Sequence, residues 1–244
     1  MSKHRWNIGI VGGGPGGLFA AYRLEQLCST PPTISIFEAS NRLGGKLLTE
    51  HFSTKDFQYE AGAAEFYDYS LIDEDPLREL IEHFGLPIQP MGGASMVQEK
   101  KIIGTLEDAC DILSNTAFNE FIRFNNRAKS EVSPRQFYDG TPTSHIKSHS
   151  TNSSEERFST TLDQLPNETK KYIEQQIHSD LAAEPHQTSH RYGLDNFLMN
   201  DPAYMQLYCI TGGNDLLVHG IASRLSANIH LHTEITTVCK TESN

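Results

Sequence analysis

The chain has 244 residues, 37% of them hydrophobic, enough to bury a core in one large domain or two modest ones. Its formal net charge of −11 argues against nucleic acid or an anionic membrane as the main partner, since either needs a Lys/Arg-rich face that displaces counterions. No apolar run approaches the roughly 18 residues of a membrane span, and the short apolar run after Met1-Ser2-Lys3-His4-Arg5 is too brief for a secretion signal, so a soluble cytoplasmic protein is expected.

Trp6 to Val11 is a β-branched apolar run ending in glycines, the pattern of a buried parallel strand. Gly16 to Leu27 then places Leu18, Ala21, Tyr22 and Leu24 on one side of a helix, which Thr30-Pro31-Pro32 ends. Thr33 to Phe37 is a second strand closing on Glu38, so the start reads as a β-α-β unit. Leu43 to Phe52 is broken at Gly44-Gly45 and then alternates, and Phe57 to Phe66 reads as a strand entering a turn of small residues.

Pro76 to Phe84 is an amphipathic helix, with Asp75 as its cap and Gly85 just past its end. Leu106 to Lys129 is helical by period, with Leu113, Ala117, Phe121 and Phe124 spaced by three and four. Between 141 and 161 there are 11 Ser or Thr in 21 residues, which predicts an exposed loop. Leu162 to Ala183 and Gly193 to Leu198 again look helical, as does Asn214 to Leu225 after a Gly212-Gly213 break. Ile229 to Val238 alternates as one or two strands. The expected class is α/β, with a largely helical insert: 1–104 as the first part of a nucleotide-binding domain, 105–206 as the insert and 207–244 as the return.

In the G-x-G-x-x-G run, Gly12 permits the tight strand-to-helix turn, Gly14 lets a pyrophosphate approach bare backbone, and Gly17 lets helix pack on strand. The helix that begins there, with Pro15 and Gly16 in its first turn, directs unpaired N–H groups and a positive dipole end at the phosphates. Glu38 follows Gly17 by 21 residues at the end of the next strand, where a carboxylate accepts from ribose hydroxyls. The strand, helix and acid together predict a dinucleotide site, and an acid there disfavours NADP.

The run Glu38-Ala39-Ser40-Asn41-Arg42-Leu43-Gly44-Gly45-Lys46 resembles the E-A-x-x-R-x-G-G-R stretch of the flavin-containing amine oxidase superfamily, which includes monoamine oxidases, L-amino-acid oxidases, protoporphyrinogen oxidases and phytoene desaturases. The resemblance implies a Rossmann-like FAD-binding domain with FAD as cofactor. It places Glu38, Ala39, Arg42, Gly44, Gly45 and Lys46 around the dinucleotide, the glycines exposing backbone N–H groups and the cations offsetting phosphate charge. Lys46 stands where the family has Arg, supplying a point charge without a bidentate fork.

Phe57 to Phe66 is similar to the family's strand and turn beside the flavin ring, which implicates Gly62, Ala63, Ala64 and Glu65; small residues there bring backbone within hydrogen-bond reach. Amino-acid oxidases carry an Arg close to the position of Glu65. The nearby Phe66, Tyr67 and Tyr69 read as core aromatics in preference to substrate-facing ones. Ile210 to Leu217 resembles the family's GG-x-x-x-L helix start, after which a backbone amide beside Ile235 would meet adenine. The family continues for about as many residues again, so relative to it the chain reads as C-terminally incomplete. Its active-site lysine and aromatic cage belong to that continuation, and no catalytic residue is assigned.

The implied activity is FAD-dependent oxidation of a small amine, amino acid or similar molecule, with hydride passing to flavin N5 and dioxygen as acceptor. Two alternatives stand: a desaturase or protoporphyrinogen-oxidase-like flavoenzyme, and a non-catalytic FAD-binding subunit whose partner polypeptide supplies the rest. No metal site is expected. The cysteines at 28, 110, 209 and 239 form no CxxC pair and read as free thiols. The pairs His145/His149 and His186/His190 lie in polar text and read as solvated, and the sequons at Asn152 and Asn167 as chance matches.

Overall fold

The computed structural model describes residues 5–53, 57–92, 96–98, 100–140, 156–178 and 180–240. The chain forms two compact units. The first comprises 1–66, 76–90 and 208–244, and the second 67–75 and 91–207. The element order begins β1 (Asn7–Val11), α1 (Pro15–Leu27), β2 (Thr33–Phe37), β3 (Thr49–His51), β4 (Gln58–Glu60), β5 (Phe66–Tyr67), α2 (Pro76–His83) and β6 (Ile88–Met91). The hairpin β7 (Met96–Gln98) and β8 (Lys101–Ile103) leads to α3 (Leu106–Ile112), α4 (Asn115–Glu131), α5 (Pro134–Asp139), α6 (Phe158–Leu162), α7 (Asn167–Ile177) and α8 (His190–Leu198). The chain then returns through β9 (Leu207–Ile210), α9 (Leu216–Ala222) and β10 (Asn228–His230).

In the first unit β1 and β2 pair in parallel, Asn7 opposite Thr33 through Val11 opposite Phe37, and β10 joins β2 in parallel on its other side. The order β1-β2-β10 makes β2 the central strand, and its Ile34 and Ile36 are buried. Leu18, Ala21 and Tyr22 of α1 and Leu217, Val218 and Ile221 of α9 complete that core with Leu80 and Ile81 of α2. The α/β class and the β-α-β start are therefore as the sequence indicates. β1, expected to be buried, is an edge strand with Val11 63% exposed, because among the described residues it pairs with β2 alone.

The expected strand over 229–238 is also shorter. Pairing stops at His230, because its partner β2 ends at Phe37 and the chain turns away at Glu38. Two further backbone bonds, His232 N–H to Ser40 O and Thr233 N–H to Glu38 O at 2.9 Å each, tie the next residues down. Beyond them 234–240 has no regular structure.

The second unit is helical, with the β7–β8 hairpin packed into it through Met96 and Ile103. Residues 96–98 and 100–104 lie in the second unit with the helices, and the boundary expected at 104 falls after them. The single helix expected over 106–129 is two. Leu113 and Ser114 separate α3 from α4, and Ser114 caps α4 by accepting from Ala117 N–H while its own N–H and hydroxyl donate to Glu168. The buried stripe is the expected one, with Leu113, Ala117, Phe121 and Phe124 all inside. The helix expected over 162–183 starts only at Asn167, since Pro166 lacks the N–H that would continue a helix from α6.

Residues 141–155 of the expected polar loop, with His145, His149 and the Asn152 sequon, lie outside the described residues. Two of its last residues are not exposed: Phe158 is fully buried among Phe124, Leu162 and Leu194, and Thr161 is 2% exposed, while Arg157 and Thr160 are exposed. One aromatic in Ser/Thr-rich text carries enough apolar area to decide the side on which the segment packs. His190 likewise is buried. Its Nδ1 lies 2.6 Å from Thr161 Oγ1 and its Nε2 2.9 Å from Glu131 Oε2, so it joins three helices and is not solvated. At the second sequon Thr169 is fully buried and donates to Ala117 O. The four cysteines are free.

Candidate functional site

The site is built where β1 and β2 end. β1 passes into the glycine loop, where Gly12 has φ +102° and its N–H donates to Phe37 O at 2.8 Å. Gly17 is required by packing, because a Cβ there would lie 2.0 Å from Gly12 O. Gly14 and Gly16 differ from it. Around Gly16 nothing stands within 4 Å of a Cβ position, and around Gly14 only Gly45 Cα at 3.8 Å, so the protein itself does not demand bare backbone at either. Pro15 occupies the first helical position of α1, Gly14 is an N-cap without a side-chain bond, and the first turn carries no acid. The N–H groups and dipole of this 13-residue helix are thus left unneutralised by their own side chains.

Glu38 closes on the same loop. Its Oε2 accepts from Gly13 N–H at 2.7 Å and its Oε1 from Ser40 N–H at 2.8 Å. The Ser40 backbone bond, then that from Gly13, hold its carboxyl below the ordinary value, so it is ionised at neutral pH. Ala39 beside it is exposed.

The loop from Arg42 to Lys46 is pressed against the first. Gly44 N–H donates to Gly13 O at 2.8 Å, and a Cβ on Gly45 would stand 3.1 Å from Gly14 Cα. Gly44 and Gly45 both have positive φ, +108° and +51°. Arg42 braces this turn. Its guanidinium donates to the carbonyls of Leu43, Leu47 and Gly45 at 3.2, 3.3 and 2.7 Å, so its charge is directed into the loop it belongs to. Lys46 is exposed.

The turn after β4 is fastened to the same loop from its far side. Ala61 N–H donates to Leu48 O, Ala63 N–H donates to Lys46 O, and a Cβ on Gly62 would lie 2.0 Å from Lys46 O. Gly62, Ala63 and Ala64 are exposed and Glu65 is half-buried. Ile235 is not in a strand but in the irregular tail, two residues past the Thr233 bond to Glu38, and it is exposed. Tyr67 and Tyr69, read as core, are 40% and 47% exposed.

Sequence reasoning missed three residues that hold these pieces together: Thr49, Glu60 and Asn214. Asn214 is fully buried, and its carboxamide donates to Ala63 O and Ala64 O at 3.0 and 3.1 Å. Its backbone N–H donates to Glu60 Oε1, to which Thr49 Oγ1 also donates. The only signal in the sequence was a polar residue placed directly after Gly212-Gly213.

The geometry fits a dinucleotide: bare backbone at Gly14 and Gly16, an uncapped helix N-terminus, and an ionised carboxylate one strand away. Among the described residues no group of three or more His, Cys, Asp or Glu is placed to hold a metal, and no helix is long and apolar enough to cross a membrane.

The family model described as flavin containing amine oxidoreductase matches residues 15–244. The chain belongs to this family. The family is flavin-containing, and the cofactor is accordingly FAD. Solved structures similar to it include a putrescine oxidase, 18% identical with a TM-score of 0.66 over 94% of this chain and 51% of that one. The cyclohexylamine oxidase of Brevibacterium oxydans is 18% identical with a TM-score of 0.59 over 93% and 51%. At such identity the likeness shows the fold. Among curated proteins, the coproporphyrinogen III oxidase of Mycobacterium tuberculosis is 46% identical over 54 residues, 22% of this chain and 12% of that protein. Achacin of Lissachatina fulica is 33% identical over 90 residues, 33% and 16% respectively. The chain spans about half the length of the solved structures, and the aligned stretches cover far less of the curated relatives.

Proposed function

We propose that the first unit is the FAD-binding domain, and the helical unit the substrate domain, of an oxidoreductase that oxidises a small amine or a similar CH–XH molecule. The observation that carries this reading is the fusion of the two glycine loops, Gly44 N–H on Gly13 O with Gly45 against Gly14, at the N-terminus of α1. Two stretches of bare backbone thereby present N–H groups to one diphosphate from two sides. Bound FAD supplies the hydride-accepting chemistry at its N5, with dioxygen as the acceptor.

The remaining roles belong to the chain. Glu38 keeps lone pairs beyond those used by Gly13 and Ser40, and these accept from ribose hydroxyls. Lys46 adds charge toward the phosphates, while Arg42 and Ala39 shape the loop. The Gly62 to Glu65 turn stands at the flavin ring and the backbone beside Ile235 at adenine. Four free thiols suit a reducing compartment, the cytoplasm. On this reading a second polypeptide completes the substrate site.

The test is to purify the chain, add FAD, remove unbound cofactor and record the visible spectrum. Retained yellow flavin is the expected result; a colourless chain overturns the reading. The 46% identity to a coproporphyrinogen III oxidase over 54 residues favours a second reading, a porphyrinogen-type substrate. Oxygen consumption against an amine panel and a porphyrinogen separates the two.

A further inference from the structure

Asn214 holds the Ala63 and Ala64 carbonyls of the Gly62 to Ala64 turn, although 150 residues separate it from Ala64. Both polar atoms of its side chain are bonded. The carboxamide nitrogen donates to Ala63 O and Ala64 O, and Oδ1 accepts from Ile210 N–H at 2.9 Å. Its main-chain N–H reaches Glu60 Oε1 at 2.9 Å. Glu60 is held in turn by the Thr49 hydroxyl, which also accepts from Asp215 N–H. Gly213 beside it has φ +118°, and a Cβ there would lie 2.6 Å from Thr49 Oγ1, so backbone packs directly on this group.

The consequence for the turn follows from counting its backbone groups. The N–H of Ala61 and of Ala63 go to Leu48 O and Lys46 O, and the carbonyls of Ala63 and Ala64 go to Asn214. The N–H groups of Gly62 and Ala64 donate to no acceptor among the described residues, and both residues are exposed. With the Ala63 and Ala64 carbonyls bonded to Asn214, the two N–H groups left without an acceptor belong to exposed residues.

We infer that Asn214, supported by Glu60, is a positioning residue for the cofactor: it turns the Ala63 and Ala64 carbonyls inward so that the Gly62 and Ala64 N–H groups face the acceptor edge of the flavin ring. This rests on the proposed placement of the turn beside the ring. Donors fixed at a ring whose reduction adds negative charge stabilise the reduced form, so their loss lowers the reduction potential.

The experiment compares the wild-type chain with Asn214→Asp, which keeps size and the acceptor for Ile210 but removes both donors, and with Glu60→Gln. FAD retention, flavin absorption maxima, reduction potential and thermal midpoint are read on each. A wild-type chain that binds no FAD defeats the functional reading itself. Given a yellow wild type, the expected result is about tenfold weaker FAD retention in Asn214→Asp, displaced absorption maxima and a lower potential. Folded variants with wild-type spectrum, potential and retention overturn the inference, as does a fall in thermal midpoint unaccompanied by any flavin change. Should Asn214→Asp not fold, Glu60→Gln decides by the same readouts.

Discussion

Glu38 Oε2 accepts a hydrogen bond from Gly13 N–H at 2.7 Å, joining the end of one strand to the loop that follows its neighbour. This bond makes the acid part of the glycine loop's framework as well as a group that faces a ligand. Glu38→Ala should therefore weaken FAD retention and loosen the loop by losing both bonds, whereas Glu38→Gln should lose the charge and keep one accepting oxygen for the Gly13 and Ser40 N–H groups, loosening the loop less. Titration of both variants with FAD, alongside a thermal melt, separates these contributions.

The same carboxyl sets an acid limit. Its value is depressed by the Ser40 and Gly13 N–H groups, so the stabilisation it lends is present above the ordinary carboxylate range and is lost as pH falls through its depressed value. FAD retention through Glu38 should hold constant from neutral pH into the mildly acidic range and decline only below the point where a free glutamate protonates. A flavin-release curve against pH, flattened in Glu38→Gln, is the check.

Two neighbouring glycines should respond oppositely to alanine. At Gly17 the new Cβ would sit 2.0 Å from a backbone oxygen, an overlap that should cost at least about 2 kcal/mol. At Gly16 nothing lies within 4 Å, and alanine in a helix gains up to about 1 kcal/mol over glycine. Gly16→Ala should thus melt no lower than wild type yet bind FAD less well. Equal FAD affinity in that variant would count against pyrophosphate approaching there.

Arg42 and Lys46 should differ in salt dependence. Arg42 serves three carbonyls of its own loop, so Arg42→Ala should release FAD faster by a similar factor at low and high salt. Lys46 is exposed, and the loss caused by Lys46→Ala should shrink as salt rises. Dissociation rates at two ionic strengths would test the contrast.

In the helical unit Glu131→Gln should remove about 1 kcal/mol, since the partner is a buried histidine but the carboxylate itself is 37% exposed and partly screened. The His190 hydrogen bond, chief among the causes, depresses the Glu131 carboxyl, so the loss should appear at neutral pH and vanish in acid. Phe158→Ala should cost more, about 3–5 kcal/mol, because the ring is fully buried. Denaturant unfolding at neutral and acid pH measures both.

The part of the candidate site made by near neighbours was legible from residue order. Gly12, Gly14 and Gly17 sit at spacings imposed by one turn and one helix, and Glu38 ends the strand hydrogen-bonded to the first, so short-range geometry alone brings them together. Long-range packing makes β1 an edge strand, lets Ser114 with Glu168 divide a helix its apolar period would have continued, and takes Phe158 and His190 out of polar text into the core. Folding also turns Arg42 onto its own loop and brings Asn214 back to Ala64. The physical reason is common to these cases. A period reports which side of an element is apolar, but a buried polar group is placed by whichever partner satisfies its hydrogen bonds, and that partner stands anywhere in the chain.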